Sequence, residues 1–315
     1  MKTLILLNPH AASGTALRRF ESVQASLSAL FDEVRIAITK YEHEVSDHLR
    51  QALHDGFEMV LVLGGDGTNF VVLNALCQLK AQAELIFATL PFGTGQDWAR
   101  TVHLPQEPDM MLEWLAQATP QPIDIGRVRL DGQICWFLNV ASVGISGAIA
   151  PRINAKRVKR PWTFLVATAQ ALLNYDPRPI RVIVDGKLWQ EGSFFLVAIG
   201  NGRFFGRGMK ICPYGVINDG LFDVVLIERM PRLKALIALP SVFTGSHLKR
   251  DDVHVCQARH VRLEGIFNTI QVEMDGEPHE AKVIEFDVQP ATIKMLLNLP
   301  IDAMRKRQSG LGMPK

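Results

Sequence analysis

The sequence predicts two domains: an α/β domain built on a doubly wound parallel sheet, then a mainly antiparallel β-sandwich. Three observations carry the prediction. Apolar runs alternate with helical spacing through the first part of the chain, and three glycine-containing loops each follow a predicted strand. After Pro120-Gln121-Pro122 the pattern changes to short β-rich segments joined by Asp-Gly turns. Alternating strands and helices build a parallel sheet covered on both faces, and Asp-Gly between alternating apolar residues signals a hairpin.

In chain order, residues 3–7 read as a buried strand and Asn8-Pro9-His10-Ala11-Ala12-Ser13-Gly14 as the turn that ends it. Leu17, Phe20, Val23, Leu27 and Leu30 then recur at helical spacing. A second strand is expected over 34–39, a helix over 45–53 and a third strand over 59–63. Gly64-Gly65-Asp66-Gly67-Thr68 follows, and a helix over 69–79 places Val72, Leu73, Leu76 and Leu79 at helical spacing. The fourth strand, 84–90, runs into Pro91-Phe92-Gly93-Thr94-Gly95-Gln96-Asp97-Trp98. The three loops therefore share the carboxyl edge of one sheet, where open α/β folds bind ligands.

The first domain is expected to span 1–123 and the second 124–290. Strands of the second are expected at 126–130, 134–140, 180–184, 188–191, 194–200, 221–227, 253–263, 269–274 and 284–288, with one helix over 161–174. The tail from Ile301 is basic (Arg305-Lys306-Arg307) and reads as a frayed terminus.

Composition narrows the class. A chain of 315 residues, 48% hydrophobic, can bury two cores. A net charge of +2 argues against a nucleic-acid binder. Cys77, Cys135, Cys212 and Cys256 lie far apart with no C-x-x-C pair, which points to a reducing compartment and away from a zinc module. His254-Val255-Cys256 reads as strand packing. The apolar run at the N-terminus is too short for a signal peptide, and no run reaches the ~20 apolar residues of a membrane span. A soluble, cytoplasmic protein is expected.

Strand, glycine turn, helix is the geometry in which bare backbone N–H groups receive a phosphate. No Lys-Ser/Thr pair follows Gly64–Gly67, so the loop is not a Walker A motif, and its glycine order is not G-x-G-x-x-G. A carboxylate such as Asp66 repels a polyphosphate unless a divalent cation sits between them, so the loop implies Mg²⁺ as well as nucleotide. The competing reading is a tight turn with Asp66 capping the next helix.

Several other residues carry two readings. Asp-Gly occurs six times, at Asp55, Asp66, Asp131, Asp185, Asp219 and Asp275, so the pair alone says only "turn", and Asp131 and Asp185 read as plain hairpins. Asp124 is a strand-end cap or part of a hydrogen-bond network reaching the cleft. Asp97 and Arg100 form an i,i+3 helix pair or line the cleft. Phe204, Phe205 and Met209 belong to the sandwich core or to an acyl-chain groove. Residues 152–162, with five cations and Trp162, are a solvated loop or a dock for an anionic membrane surface.

Taken together, these loops resemble the diacylglycerol kinase catalytic family, and within it the soluble bacterial lipid kinases. The resemblance covers nearly the whole chain. Asn8-Pro9 with Ser13-Gly14, Gly64-Gly65-Asp66-Gly67-Thr68 and Gly93-Thr94-Gly95-Gln96-Asp97-Trp98-Ala99-Arg100 match its three N-terminal motifs. Gly200-Asn201-Gly202-Arg203, Gly208-Met209, Pro213, Asn218-Asp219-Gly220-Leu221 and Asp275-Gly276-Glu277 follow in the family's order. Gln96 replaces a usual Asn, and Arg207 stands where a further glycine is common.

The resemblance implies a nucleotide domain of the NAD-kinase and phosphofructokinase type, a β-sandwich, and catalysis in the cleft between them. It also implies that the segment 291–315 returns to the first domain. Asn8, Pro9, Ser13, Gly14, Thr39, Gly64, Gly65, Asp66, Gly67, Thr68, Asn69 and Thr94 would hold ATP. Asp219, with the backbone carbonyls of Val216 and Leu221, would hold a structural Mg²⁺. Glu277 would be the proton acceptor, with Asp66 and Asp97 as the other catalytic candidates. The expected activity is ATP- and Mg²⁺-dependent phosphorylation of a lipid hydroxyl (diacylglycerol-like, phosphatidylglycerol-like or a long-chain amino alcohol). The lipid would be met at the membrane surface through peripheral contact with its inner face, with no nucleic acid involved and a homodimer compatible. A soluble-substrate kinase of the NAD-kinase type and a non-catalytic nucleotide- or lipid-binding protein are the alternatives.

Overall fold

A computed structural model of the chain describes residues 1–39, 41–147, 168–172 and 174–298. The basic run within 152–162, most of the helix expected over 161–174 and the tail from 301 lie outside the described residues.

Strands β1 (Lys2–Leu7), β2 (Glu33–Ile38), β3 (Met59–Gly64) and β4 (Ile86–Pro91) pair in parallel in the order β2-β1-β3-β4. β3 is buried along its whole length and β2, at the edge, is half exposed, which is why β3 reads as an unbroken apolar run and β2 does not. The accompanying helices are α1 (Ala11–Gly14), α2 (Ala16–Ser28), α3 (Glu42–His54), α4 (Asp66–Gln78), α5 (Asp97–Thr101) and α6 (Pro108–Gln117). α2 buries Ala16, Phe20, Val23 and Leu27 in the first core. α6 was not foreseen. α4 begins at Asp66 rather than at 69: Gly65 is its extended N-cap, so Gly67 and Thr68 lie in its first turn. A carboxylate in the first turn suits the positive end of the helix dipole.

The second part contains β5 (Thr119–Leu130), β6 (Gln133–Phe137), β7 (Val140–Gly144), β8 (Pro179–Val184), β9 (Lys187–Gly200), β10 (Phe222–Glu228), helix α7 (Arg232–Thr244), β11 (Val253–Ala258), β12 (His260–Gly265), β13 (Ile270–Met274), β14 (Glu277–Ala281) and β15 (Val283–Leu297). Two expectations change here. Residues 188–191 and 194–200 are one strand, because β9 pairs with β8 in its first half and with β7 and β10 in its second. Residues 253–263 are two strands divided at Arg259, since β11 pairs with β10 whereas β12 pairs with β8 and β15. Both changes are sandwich corners, at which a chain leaves one sheet for the other. α7 was also not foreseen.

β5 and β15 are long antiparallel partners, from Ile284 opposite Leu130 to Leu297 opposite Thr119. A break in register between Gln289 and Ile293 lets β15 bend, and beyond it Met295 pairs in parallel with Phe87 of β4. The two strands thus tie the sandwich to the parallel sheet. α4 is the second tie. Its Phe70 sits in the sandwich core rather than in that of its own sheet. Its Asn74 donates from Nδ2 to the Trp136 carbonyl (2.8 Å) and accepts the Trp136 N–H at Oδ1 (2.9 Å). A third apolar cluster lies outside both cores, where Phe195, Leu196, Phe205 and Met209 meet Ala235 and Val242 of α7.

Candidate active site

The three N-terminal loops form one surface because their backbones touch. A Cβ on Gly93 would stand 2.3 Å from the Gly65 Cα, so these two turns can meet only with a glycine at position 93. Asn8 Nδ2 donates to Thr68 Oγ1 at 3.1 Å, joining the first loop to the second. Asp66 joins the second to the third: its Oδ1 accepts the Trp98 N–H (3.0 Å) and its Oδ2 the Asp97 N–H (3.1 Å). Asp66 is therefore a cap, but for α5 and not for its own helix. Gln96 takes a left-handed conformation (φ 59°) and turns its amide inward, donating to the carbonyls of Pro91 (3.0 Å) and Gly93 (2.8 Å). Its extra methylene is thereby absorbed inside the loop.

Facing this surface is the β13–β14 hairpin. Its turn, Asp275 (φ 49°) and Gly276 (φ 96°), has both central residues left-handed, as a two-residue hairpin requires. Asp275 clamps the tip against the 138–140 turn. Its Oδ2 accepts the Leu138 N–H (2.7 Å), and its Oδ1 accepts those of Asn139 (3.0 Å) and Val140 (3.1 Å). This brings Glu277 onto the glycine loop. A Cβ on Gly67 would lie 2.6 Å from Glu277 Oε1. Asp97 completes the junction, accepting the N–H groups of Arg207 and Gly208 (both 2.7 Å) and pairing with Arg100 (2.8 Å). It is both helix pair and cleft wall. Arg207 has φ 65°, the conformation that favours glycine at that position.

Loops and hairpin share one continuous cavity of about 710 Å³. Asn8, Thr39, Gly65, Asp66, Gly67, Thr68, Thr94 and Asp97 line one side, and Glu273, Asp275 and Glu277 the other. Thr39 is buried, with its N–H on the Leu7 carbonyl. The cavity continues into an apolar chamber walled by Phe195, Phe205, Met209, Leu239 and Val242. Phe204, Phe205 and Met209 thus line the cavity, and Phe205 and Met209 belong to the third apolar cluster, not to the sandwich core. Pro9, Gly14 and Gly64 flank the lining without being part of it, and Ser13 lies within α1. Asn69 is buried and accepts the Thr89 hydroxyl at 2.9 Å.

The acids here are crowded. Burial, reinforced by the Asp66 charge, pushes Asp97 up to about 7 and Asp275 up to about 7. Burial raises Asp66 and Glu277 as well, with Glu42 adding to the latter. Wherever these carboxyls are ionised, such a wall repels a polyphosphate unless cations accompany it.

Val216, Asp219 and Leu221 lie apart from this lining, in the turn before β10. Asp219 Oδ1 accepts the Leu221 N–H (3.0 Å), and Asp124 accepts those of Gly220 (2.7 Å) and Ala291 (2.8 Å). Asp124 therefore fixes the turn to β15. Asn218 Oδ1 is buried without a partner, and Asp223, pushed up to about 6 by burial and by Asp219, adds a second acid. An orphaned oxygen among carboxylates suits a hard cation such as Mg²⁺. No group of three or more His, Cys, Asp or Glu side chains converges as a metal site among the described residues, so backbone carbonyls and water must complete any such shell.

Sequence reasoning assigned no role to Glu273, Asn139 or Ser146, all of which line the cavity. Glu273 alone left a trace, as an acid among the apolar residues of a predicted strand.

Comparison with known proteins agrees with the two-part architecture. The Diacylglycerol kinase catalytic domain family matches residues 2–128, and the YegS C-terminal NAD kinase beta sandwich-like domain matches residues 139–297. A protein of Mycobacterium tuberculosis (strain ATCC 25618 / H37Rv) named "Diacylglycerol kinase" is 30% identical over 298 residues, 94% of each chain. One of Stenotrophomonas maltophilia (strain K279a) named "Probable lipid kinase YegS-like" is 27% identical, covering 84% of this chain and 87% of that one. The crystal structure of a diacylglycerol kinase from Bacillus anthracis str. Sterne shares the fold, with a TM-score of 0.72 at 21% identity, covering 94% of this chain and 97% of that one. With glycine loops on a parallel sheet and a hairpin carboxylate from a β-sandwich facing them, the chain belongs to the diacylglycerol kinase catalytic family in its YegS-type, two-domain form.

Proposed function

We propose that the protein is an ATP-dependent lipid kinase that transfers the γ-phosphate to the hydroxyl of a diacylglycerol-like lipid, with Glu277 as proton acceptor. One observation carries the reading: glycine loops, acceptor carboxylate and apolar chamber share one cavity. A soluble-substrate kinase does not need that chamber, and a non-catalytic nucleotide- or lipid-binding protein does not need the acceptor carboxylate.

Phosphoryl transfer asks for alignment and charge neutralisation more than for covalent chemistry. The N–H groups at the start of α4, with Thr68 and Thr94, cradle phosphate oxygens. Asp66, by capping α5, keeps the third loop pressed on the second. Asp219, with the carbonyls of Val216 and Leu221, would hold one Mg²⁺. Mg²⁺ bound with the nucleotide supplies the positive charge that reconciles the phosphates with the acidic wall. The lipid hydroxyl oxygen attacks the γ-phosphorus, the bond to the β–γ bridging oxygen breaks, and Glu277 takes the hydroxyl proton. General-base assistance of this kind contributes ~10²–10⁴ in rate.

The lipid is reached from a membrane surface on the cytoplasmic side. Among the described residues no helix is long and apolar enough to cross a membrane. Leu233 (71% exposed) and Ile237 (72% exposed) project from the outer face of α7, whose inner face walls the chamber, and support peripheral contact there.

The test incubates the protein with γ-labelled ATP, Mg²⁺ and a lipid panel in mixed micelles, beside Asp66→Ala and Glu277→Ala. Label is expected on a diacylglycerol-like lipid and to be lost in both variants. Label on NAD⁺ or a sugar but on no lipid would overturn the reading; ATP binding without consumption would leave a non-catalytic binder.

A further inference from the structure

Helix α7 is apolar on both its inner and its outer face. Ala235, Ala238, Leu239 and Val242 wall the chamber from the inner face. The outer face repeats Leu233, Ile237 and Pro240 at helical spacing, and Leu233 and Ile237 are 71% and 72% exposed. Of the 13 residues of α7, only Ala235 and Val242 are buried. A helix on a protein surface ordinarily turns polar side chains to water, and one that is apolar all round has a second apolar neighbour. Among the described residues nothing covers Leu233 and Ile237.

The charges around the helix identify that neighbour. Between Arg229 and Arg250 the chain carries Arg229, Arg232, Lys234, Lys249 and Arg250 but no Asp or Glu. Asp176 pairs with Arg229, and Asp252 pairs with Lys234 (2.7 Å) and Arg250 (2.8 Å). Arg232 and Lys249 are exposed. Arg232 and Lys234 also occupy the first turn of α7, at the positive end of its dipole, where a cation costs the helix stability. An anionic neighbour explains that placement; the helix itself does not. A second copy of the chain, docked about a twofold axis, would set this acid-free segment against itself, cation to cation. An anionic bilayer suits both properties: acyl chains take the apolar stripe and lipid phosphates take the cations. At 13 residues α7 is about 20 Å long, too short to span a membrane and long enough to lie in its surface.

We infer that α7 docks in the plane of an anionic bilayer, with Leu233 and Ile237 below the headgroups and Arg232 beside the lipid phosphates. The inference deepens the lipid-kinase reading, on which it rests for the role of the chamber, by naming the helix that docks and the lipid charge it meets. The opposite face of α7 walls the chamber, so docking sets the chamber at the depth of the acyl chains. A lipid then passes from bilayer to chamber without crossing water.

The test measures binding without ATP, so that it does not depend on turnover. The full chain is sedimented with phosphatidylcholine vesicles prepared with and without phosphatidylglycerol, and its association state is measured in their absence. Each variant's thermal unfolding is recorded to exclude misfolding. Binding should be tighter to the anionic vesicles and should fall as salt is raised. Leu233→Ser combined with Ile237→Ser should weaken it about tenfold or more. Arg232→Glu should weaken it about fivefold or more on the anionic vesicles and leave phosphatidylcholine binding unchanged. Leu188→Ser, at an exposed position at the start of β9, is the control and should change nothing. Unchanged vesicle binding in the Leu233 and Ile237 double variant would overturn the inference, as would an equal loss in Leu188→Ser. Indifference of the wild type to lipid charge, or no binding at all, would do the same. So would a dimer that the double variant abolishes while the wild type ignores vesicles, which would give the face to a second copy. Phosphate transfer is read separately in mixed micelles: docking through α7 without transfer to any lipid would sink the kinase reading and leave this one standing.

Discussion

On the loop side of the cavity, every contact is made by turns at the ends of neighbouring parallel strands. Gly65 meets Gly93, Asn8 meets Thr68, and Asp66 caps α5. On the opposite side, Glu277 hangs on one hairpin tip held by Asp275 against residues 138–140. The loop side is assembled by strand order, so chain-local motifs suffice to specify it. The hairpin side is assembled by long-range register, with β13 between β7 and β14, and only the tied sandwich presents it correctly. Nucleotide binding and proton acceptance should therefore fail separately.

The largest expected effect sharpens that contrast. Glu277→Gln should lower kcat by ~10²–10⁴ while leaving ATP affinity within about threefold, measured by steady-state kinetics and nucleotide titration. A parallel loss of ATP binding would mean that the two sides are one unit. Next comes Phe70→Ala, which empties the sandwich core of a side chain rooted in α4 and should cost ~3–5 kcal/mol in urea unfolding. Two separate unfolding transitions in that variant would show that α4 is the tie; one unchanged transition would break the account. Asn74→Ala leaves the Trp136 backbone groups unpaired and should cost ~1–3 kcal/mol, with KM for lipid rising more than KM for ATP.

The smallest effect is in pH. Asp97 and Asp275 are raised to about 7 and Glu273 to about 8, against unfolded values of 3.8 for the aspartates and 4.5 for the glutamate. The folded state holds these protons more tightly, so their contribution is complete below about pH 4 and is lost as pH rises through 7 to 8. The urea midpoint should fall from pH 5 to pH 8, and Glu273→Gln should flatten the upper part of that decline. A midpoint that rises over this range would contradict the assignment of neutral buried acids.

Three turns with the same Asp-Gly pair show how far local sequence reaches. Asp131, Asp185 and Asp275 all sit at left-handed hairpin tips, and all accept backbone N–H groups from another part of the chain. Asp131 holds residues 282 and 283 and Asp185 holds 259 and 260, both at exposed corners, whereas Asp275 holds the cavity wall. The acids Glu273 and Glu277 flank only the third pair, but acids beside a turn do not by themselves mark a cavity wall. Only the ordered set of motifs pointed to Asp275-Gly276-Glu277.

The sequence by itself determined the parallel sheet, the three loops at one edge of it and the presence of an antiparallel partner, because strand period, helix spacing and glycine turns are local properties. Tertiary structure alone decided that Asp66 caps α5, that Phe205 and Met209 wall a chamber outside the sandwich core, and that Glu273 lines the cavity. Each of these depends on which surfaces meet across more than thirty residues of chain, and side-chain patterning carries no record of that distance.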